Sequence, residues 1–280
     1  MILLRSIIDI SNWTQDWSKQ VTGTRTKVWV KGQDSYGYSL FKIPKSSANE
    51  NWAELVSSEL GKIIGLRTMN VHLAVNNKQK GVLLENIKPQ NAIMEDGGEL
   101  IKGIYEEFDP ADLKGYTIET IMKSVEKYHL QANIIAMCLF DGLIANQDRH
   151  CENWAVLRFT HDKAELAPLY DNGASLGFNS NEDQLKKLLL DKVMFEAFTN
   201  RSKSLIEVNG RRKPRMRVLL SYLKETYNQL YVKEIERFAN IEYNDVIKIV
   251  NQIPSSWMNE VQKEWVCKLI NYRSNWLKDI

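Results

Sequence analysis

The sequence predicts an α+β protein of two lobes, a small one of strands with one main helix and a larger, mostly helical one. Three observations carry this. The first third alternates apolar and polar residues at the period of strands. From about residue 90 the apolar positions recur at the period of helices. The 280 residues are 44% hydrophobic and 26% charged, enough to fill a large core and far from disordered or fibrous compositions.

Residues 27–31, Lys-Val-Trp-Val-Lys, alternate cleanly, and 36–43 do so less cleanly. Gly32-Gln-Asp-Ser between them reads as a hairpin connection. Residues 70–75 and 81–87 form a second pair joined through Asn76-Asn77-Lys78. Between the pairs lies a helix over 52–64, with Trp52, Leu55, Val56, Leu60, Ile63 and Ile64 on one face. Asn51 is placed to cap its start and Gly65 to stop it. In the second lobe, 117–128 reads as an amphipathic helix and 130–143 as a more buried one with Asp141 inside it. Residues 218–277 read as nearly continuous helix, broken at Asn240 and around Pro254. Two short strand-like segments, 155–159 and 165–169, interrupt the helical region. The expected lobes are residues 1–88 and 89–280, with a cleft between them.

Composition excludes several classes. Lysine and arginine number 37 against 35 acids, a net charge of +2, so neither direct DNA binding nor membrane association is expected. Three cysteines without a CxxC pair describe no disulfide framework or zinc site and suit a reducing, cytoplasmic compartment. The best apolar run, 134–145, is interrupted by Asp141 and falls short of the ~20 residues a membrane span needs. The N-terminus lacks a signal-peptide layout.

The chemistry concentrates in Asn146-Gln-Asp-Arg-His-Cys-Glu-Asn153, expected as a loop after the buried helix. Asp171-Asn-Gly173 follows the second strand-like segment. The five-residue step from Asp148 to Asn153 matches the catalytic loop of protein kinases, and the later Asp-x-Gly matches their metal loop. Phosphoryl transfer needs a carboxylate near the attacking hydroxyl and hard oxygen ligands for Mg²⁺, roles suited to Asp148 and to Asn153 with Asp171. Gly173 would let the chain turn sharply away. Taken singly, each motif is also an ordinary turn sequence. The first lobe adds Lys42 at the end of a strand and Glu54 on the first turn of the helix, placed to pair. Gly23, Thr24 and Arg25 lie where a loop would cover phosphates, although a single glycine makes a weak motif. There is neither GxxxxGK[ST] nor GxGxxG, which argues against P-loop and Rossmann nucleotide sites.

Together these segments resemble the HipA-like serine/threonine kinases of bacterial toxin–antitoxin systems. The resemblance rests on residues 140–153 and on Leu166-Ala-Pro-Leu-Tyr-Asp-Asn-Gly173. Tyr38-Ser-Leu-Phe-Lys-Ile-Pro44, Trp52-Ala-Glu54 and Gly65-Leu66 match more weakly. It implies a two-lobed, protein-kinase-like fold and an ATP- and Mg²⁺-dependent protein kinase. In that reading Asp148 is the catalytic aspartate, and Asn153 and Asp171 hold metal. Lys42 anchors the nucleotide with Glu54 as its partner, and His150 shapes the catalytic loop. Residues 85–87 form the hinge, Glu85 and Ile87 offering backbone groups to adenine. Members phosphorylate aminoacyl-tRNA synthetases, modify themselves in the nucleotide loop and are often restrained by a small DNA-binding antitoxin. Only about twenty residues precede the loop, so a compact form without the extra N-terminal subdomain is expected, closer in plan to family members that look like secreted effectors. Near the family's autophosphorylated serine stands Gln20, with Ser18, Thr22, Thr24 and Thr26 as substitutes. Two alternatives stay open: a small-molecule or lipid kinase on the same fold, and a pseudokinase serving as a binding module, because Asn172 replaces the regulatory phenylalanine.

Outside these motifs, Gly210-Arg-Arg-Lys-Pro-Arg-Met-Arg217 reads first as a solvated loop before a helix and second as a phosphate or RNA contact. Trp52, Trp265 and Trp276 read as core, Trp154 as packing under the catalytic loop, and Cys151 as incidental.

Overall fold

The computed structural model describes residues 3–18, 26–32, 37–44, 49–159, 163–239 and 241–280. Six strands, β1 (Ile8–Asp9), β2 (Thr14–Asp16), β3 (Lys27–Lys31), β4 (Tyr38–Lys42), β5 (Val71–Asn76) and β6 (Gln79–Glu85), form a sheet in the order β1-β5-β6-β4-β3-β2. All neighbours are antiparallel except the parallel pair β1 and β5. The β5–β6 hairpin turns on Asn77 and Lys78, whose φ of 48° and 71° are the positive angles of a two-residue type I′ turn. Lys31 is the register partner of Tyr38, so the expected β3–β4 hairpin forms; residues 33–36 of its connection lie outside the described residues.

The period of two along β4 decides what faces the cleft. Phe41 joins Ile10, Val28, Val30, Ala74 and Leu83 in a core on one side of the sheet. Leu40 and Lys42 therefore project from the other side. That side is covered by α1 (Asn49–Ile63). This helix starts three residues earlier than the spacing predicts. Asn51 does not cap it but lies inside it, 2% exposed. Its end matches expectation. Gly65 at φ 73° donates to Lys62 O, and Leu66 donates to Gly61 O at 2.8 Å, the two bonds of a Schellman stop.

The second part is built around α4 (Gln131–Ile144), packed by helices α7 (Met216–Thr226), α8 (Asn228–Ala239) and α10 (Glu260–Lys278). The helix expected over 117–128 is α3 (Ile118–Ser124), capped by the Thr117 side chain and continued by a 3-10 turn. The long C-terminal helical stretch breaks at Tyr227 as well as near Pro254, where α9 (Tyr243–Asn251) ends; Asn240 lies outside the described residues. Two helices not read from the sequence, α5 (Glu182–Leu190) and α6 (Lys192–Thr199), start at the side-chain caps Asn181 and Asp191.

A second sheet, β7 (Ile93–Asp96), β8 (Ala155–Arg158) and β9 (Ala164–Leu166), contains the two short strands expected and one not expected. β7 runs directly into α2 (Gly97–Lys102) through a capping box on Asp96 and Glu99. The two parts are stitched together where Leu169 donates to Arg67 O and accepts from Met69 N, at 2.8 and 3.0 Å. This brings the segment after β9 under α1.

Candidate active site

A cavity of about 780 Å³ lies between the two parts. Its roof is the side of the first sheet that α1 partly covers, with Lys27, Trp29, Leu40, Lys42 and Leu84. Its floor holds Asp148, His150, Asn153, Tyr170 and Asp171, and the stretch from Glu85 to Lys88 closes the back. The apolar part, Leu40, Met69, Leu84, Ile87 and Met94, offers a slot for a flat ring, and the polar part offers charge.

Three segments far apart in sequence meet at Lys42. Its ammonium lies 2.8 Å from Glu54 Oε2 and 2.6 Å from Asp171 Oδ1. Lys42 is 3% and Glu54 1% exposed. Burial works against the charge on Lys42, but the two carboxylates outweigh it and hold its pKa above that of a free lysine. Glu54 also accepts the backbone N–H of Asn172 at 2.6 Å and of Gly173 at 3.1 Å. One carboxylate on α1 thus reads both the lysine and the backbone of residues 172 and 173. Glu54 lies in the second turn of α1 rather than the first, because the helix begins early.

Gly173 does not make the turn expected of it. The positive φ falls on Asp171, at 54°. A Cβ on Gly173 would stand 3.0 Å from Glu54 Oε2, so the glycine is needed for close approach.

The loop 146–153 is held by groups that the motif spacing does not reveal. Buried Arg149 meets Asp141 of α4 through Nη2 at 2.8 Å and Nε at 3.0 Å. Nη1 donates to Asn153 O and Tyr170 O, at 2.7 and 2.8 Å, and Nη2 to Asn172 Oδ1 at 2.6 Å. Asn146 donates to Asp141 Oδ1 and accepts the Asp148 N–H at 3.1 Å. Asn153 spends its Nδ2 on Asp148 O at 2.8 Å, leaving its amide oxygen as the atom suited to a hard cation. The signal for this network was the acid inside the apolar run 134–145: a buried carboxylate requires a cation.

His150 Nδ1 accepts the Glu152 N–H at 3.3 Å, capping the turn Cys151–Asn153. The Glu85 carboxylate is engaged by Asn70 at 2.8 Å and His72 at 2.7 Å. Trp154 is buried beneath the loop, donating to Tyr116 OH, which donates to Arg149 O. Burial pushes the Cys151 thiol up to about 12, aided by Glu152 and Asp96, so it is no nucleophile at neutral pH. Gly23, Thr24 and Arg25 lie outside the described residues. Among the described residues, no cluster of three or more His, Cys, Asp or Glu side chains is arranged to hold a metal, and no helix is long and apolar enough to cross a membrane. An amide and a carboxylate suit Mg²⁺ that takes its other ligands from phosphates and water.

Residues 20–257 match the model of the HipA-like C-terminal domain. The chain belongs to that family. A relative, the serine/threonine-protein kinase CtkA of Helicobacter pylori, is 23% identical over 177 residues, 60% of this chain and 53% of the relative. The match therefore spans about half the length of that curated relative. The crystal structure of a Helicobacter pylori proinflammatory kinase CtkA superposes with a TM-score of 0.80 at 19% identity, covering 96% of this chain and 94% of that one. HipA of Shewanella oneidensis, solved in a complex with HipB and operator DNA, superposes at 0.63 with 13% identity, covering 94% of this chain and 67% of that one. The fold is accordingly the two-lobed HipA-like kinase fold, with a mixed first lobe and a helical second.

Proposed function

We propose that this chain is an ATP- and Mg²⁺-dependent protein serine/threonine kinase. The observation that supports it most is the buried Lys42–Glu54–Asp171 chain beside a cleft floored by Asp148 and Asn153. In this reading residues 1–88 cover the nucleotide and 89–280 carry the acceptor site. Lys42 holds the inner phosphates, and backbone groups of Glu85 and Ile87 orient adenine. Asp148 orients the substrate hydroxyl and takes its proton, and His150 shapes the loop around it. Asn153 and Asp171 hold Mg²⁺, which when bound neutralises charge on the transferring phosphates. Gly23, Thr24 and Arg25 cover the phosphates, and the segment from Ser18 to Thr26 is the self-modified loop. Asn172, anchored through its side chain by Arg149 and its backbone by Glu54, gives the metal loop a polar anchor in place of a packed phenylalanine. This weighs against the pseudokinase alternative. The acceptor is a protein, with a translation component such as an aminoacyl-tRNA synthetase as first candidate. The setting is the bacterial cytoplasm, with a small antitoxin as restraining partner.

The test is the intact mass of the protein incubated with Mg-ATP, beside Asp171→Ala. The expected result is added phosphate on the wild type alone, with turnover in the variant down at least about 10³-fold. A wild type that neither gains phosphate nor turns over ATP in the presence of protein acceptors overturns the reading, and transfer only to small alcohols favours a small-molecule kinase.

A further inference from the structure

The positive balance of the chain is confined to one place. Residues 201–217 hold seven Lys and Arg and a single acid, Glu207, a charge of +6. The remaining 263 residues hold 30 basic and 34 acidic residues, a charge of −4. All seven cationic side chains are exposed. Arg212 and Arg217 are spent on the backbone carbonyls of Asp112 and Asp279. Among the described residues, no carboxylate is within ion-pair reach of Arg201, Lys203, Arg211, Lys213 or Arg215.

The segment is built, and it is fastened to the catalytic loop. Burial alternates along 201–204, serines inward and cations outward. Ser204 N donates to Pro214 O and Met216 N to Ser202 O, both at 2.9 Å, which pairs Lys203 with Arg215 across an antiparallel bridge. Like charges directly opposite one another repel, so the fold tolerates a cost here that an anionic partner would remove. The Lys203 N–H donates to Gln147 Oε1 at 3.2 Å, next to Asp148. Glu207 is tied to Tyr116 and Ile118, and Tyr116 to the Arg149 carbonyl.

From this we infer that the Lys203–Arg215 surface recognises acidic residues flanking the acceptor Ser or Thr of a polypeptide substrate. The inference rests on the kinase reading and narrows it. A polypeptide is favoured over nucleic acid because residues 201–217 include no aromatic side chain on which bases could stack. The surface also continues directly from the loop that an acceptor hydroxyl must reach.

The test is anisotropy of three labelled peptides, each with one serine, flanked by glutamates, by alanines or by lysines. Wild type is compared with Lys203→Glu/Arg215→Glu and with the milder Lys203→Gln/Arg215→Gln. The expected result is preferential binding of the glutamate peptide, weakened at least about tenfold by charge reversal, less by the Gln pair, and weakened by salt. Autophosphorylation should be unchanged in both variants, which separates this inference from the kinase reading. Equal affinity for the three peptides, or a preference that survives charge reversal, overturns the inference while leaving the kinase reading intact. So does tight binding of single-stranded RNA or tRNA that charge reversal abolishes, without discrimination among peptides.

Discussion

All five N–H bonds of Arg149 are used, on Asp141, Asn172 and the carbonyls of Asn153 and Tyr170. A planar fork is required for this, because a lysine would present one point charge to partners in several directions. Arg149→Met leaves the Asp141 carboxylate buried without its cation and should cost about 3–5 kcal/mol, read from urea unfolding. Pairing it with Asp141→Leu should recover much of that stability but no activity, since the carbonyls of Asn153 and Tyr170 and the Asn172 side chain would still lack their holder. Full recovery of phosphoryl transfer in the double variant would show that Arg149 serves only to neutralise Asp141. Gly173 poses the opposite problem, a site with no room. Gly173→Ala sets a methyl against Glu54 Oε2 and should lower transfer about 10²-fold with a smaller effect on thermal stability.

At the scale of elements, α1 couples the Lys42–Glu54–Asp171 cluster to the rest of the fold. Its polar residues are buried and occupied. Ser57 pairs with Ser175 at 2.8 Å, Ser58 donates to Met69 O at 2.6 Å, and Asn49 donates to Phe178 O at 2.8 Å. The helix is therefore packed nearly all round rather than on the one apolar face its periodicity shows. Its C-terminal end is fixed by the stop at Gly65. Gly65→Ala forces a left-handed residue with a Cβ and should destabilise by about 1 kcal/mol, visible as a lower melting temperature. Because nothing lies within 4 Å of the added methyl, the loss should be conformational, with catalysis at saturating nucleotide unchanged.

For the whole molecule, the three cysteines report closure of the core. All are buried, with Cys151 and Cys267 raised to about 12 and about 11 and Cys138 raised further, in each case chiefly by burial. A folded pKa above the unfolded one means the unfolded chain releases these protons first. The thiol contribution to stability is therefore complete below the ordinary value of 9.0 and lost as pH rises above it. Folded protein at pH 8 should react slowly with a disulfide reagent, and all three thiols should react at once in denaturant. A fast-reacting thiol in the native state would contradict the closed core, and stability that rises between pH 9 and 10 would contradict the sign.

Period and spacing are local properties, and what depended on them was legible in the sequence. The alternation around Val28 and Val30, the helix before Gly65 and the five-residue step from Asp148 to Asn153 each lie within a few turns of chain. The strands Ile8–Asp9, Thr14–Asp16 and Ile93–Asp96 are too short to display a period of their own and went unread. The capping residues Asn181 and Asp191 were visible as letters, but their helices are only nine and eight residues long, too short for a period of 3.6 to repeat more than about twice. Only the tertiary structure decided which acid among 35 meets Lys42 across 129 residues. It also decided that Arg149 answers Asp141, and that Asp171 rather than Gly173 takes the positive φ. The reason is the same in each case: charge pairing and strain are worth their cost only where the closed fold excludes water, and no local stretch of sequence creates that environment.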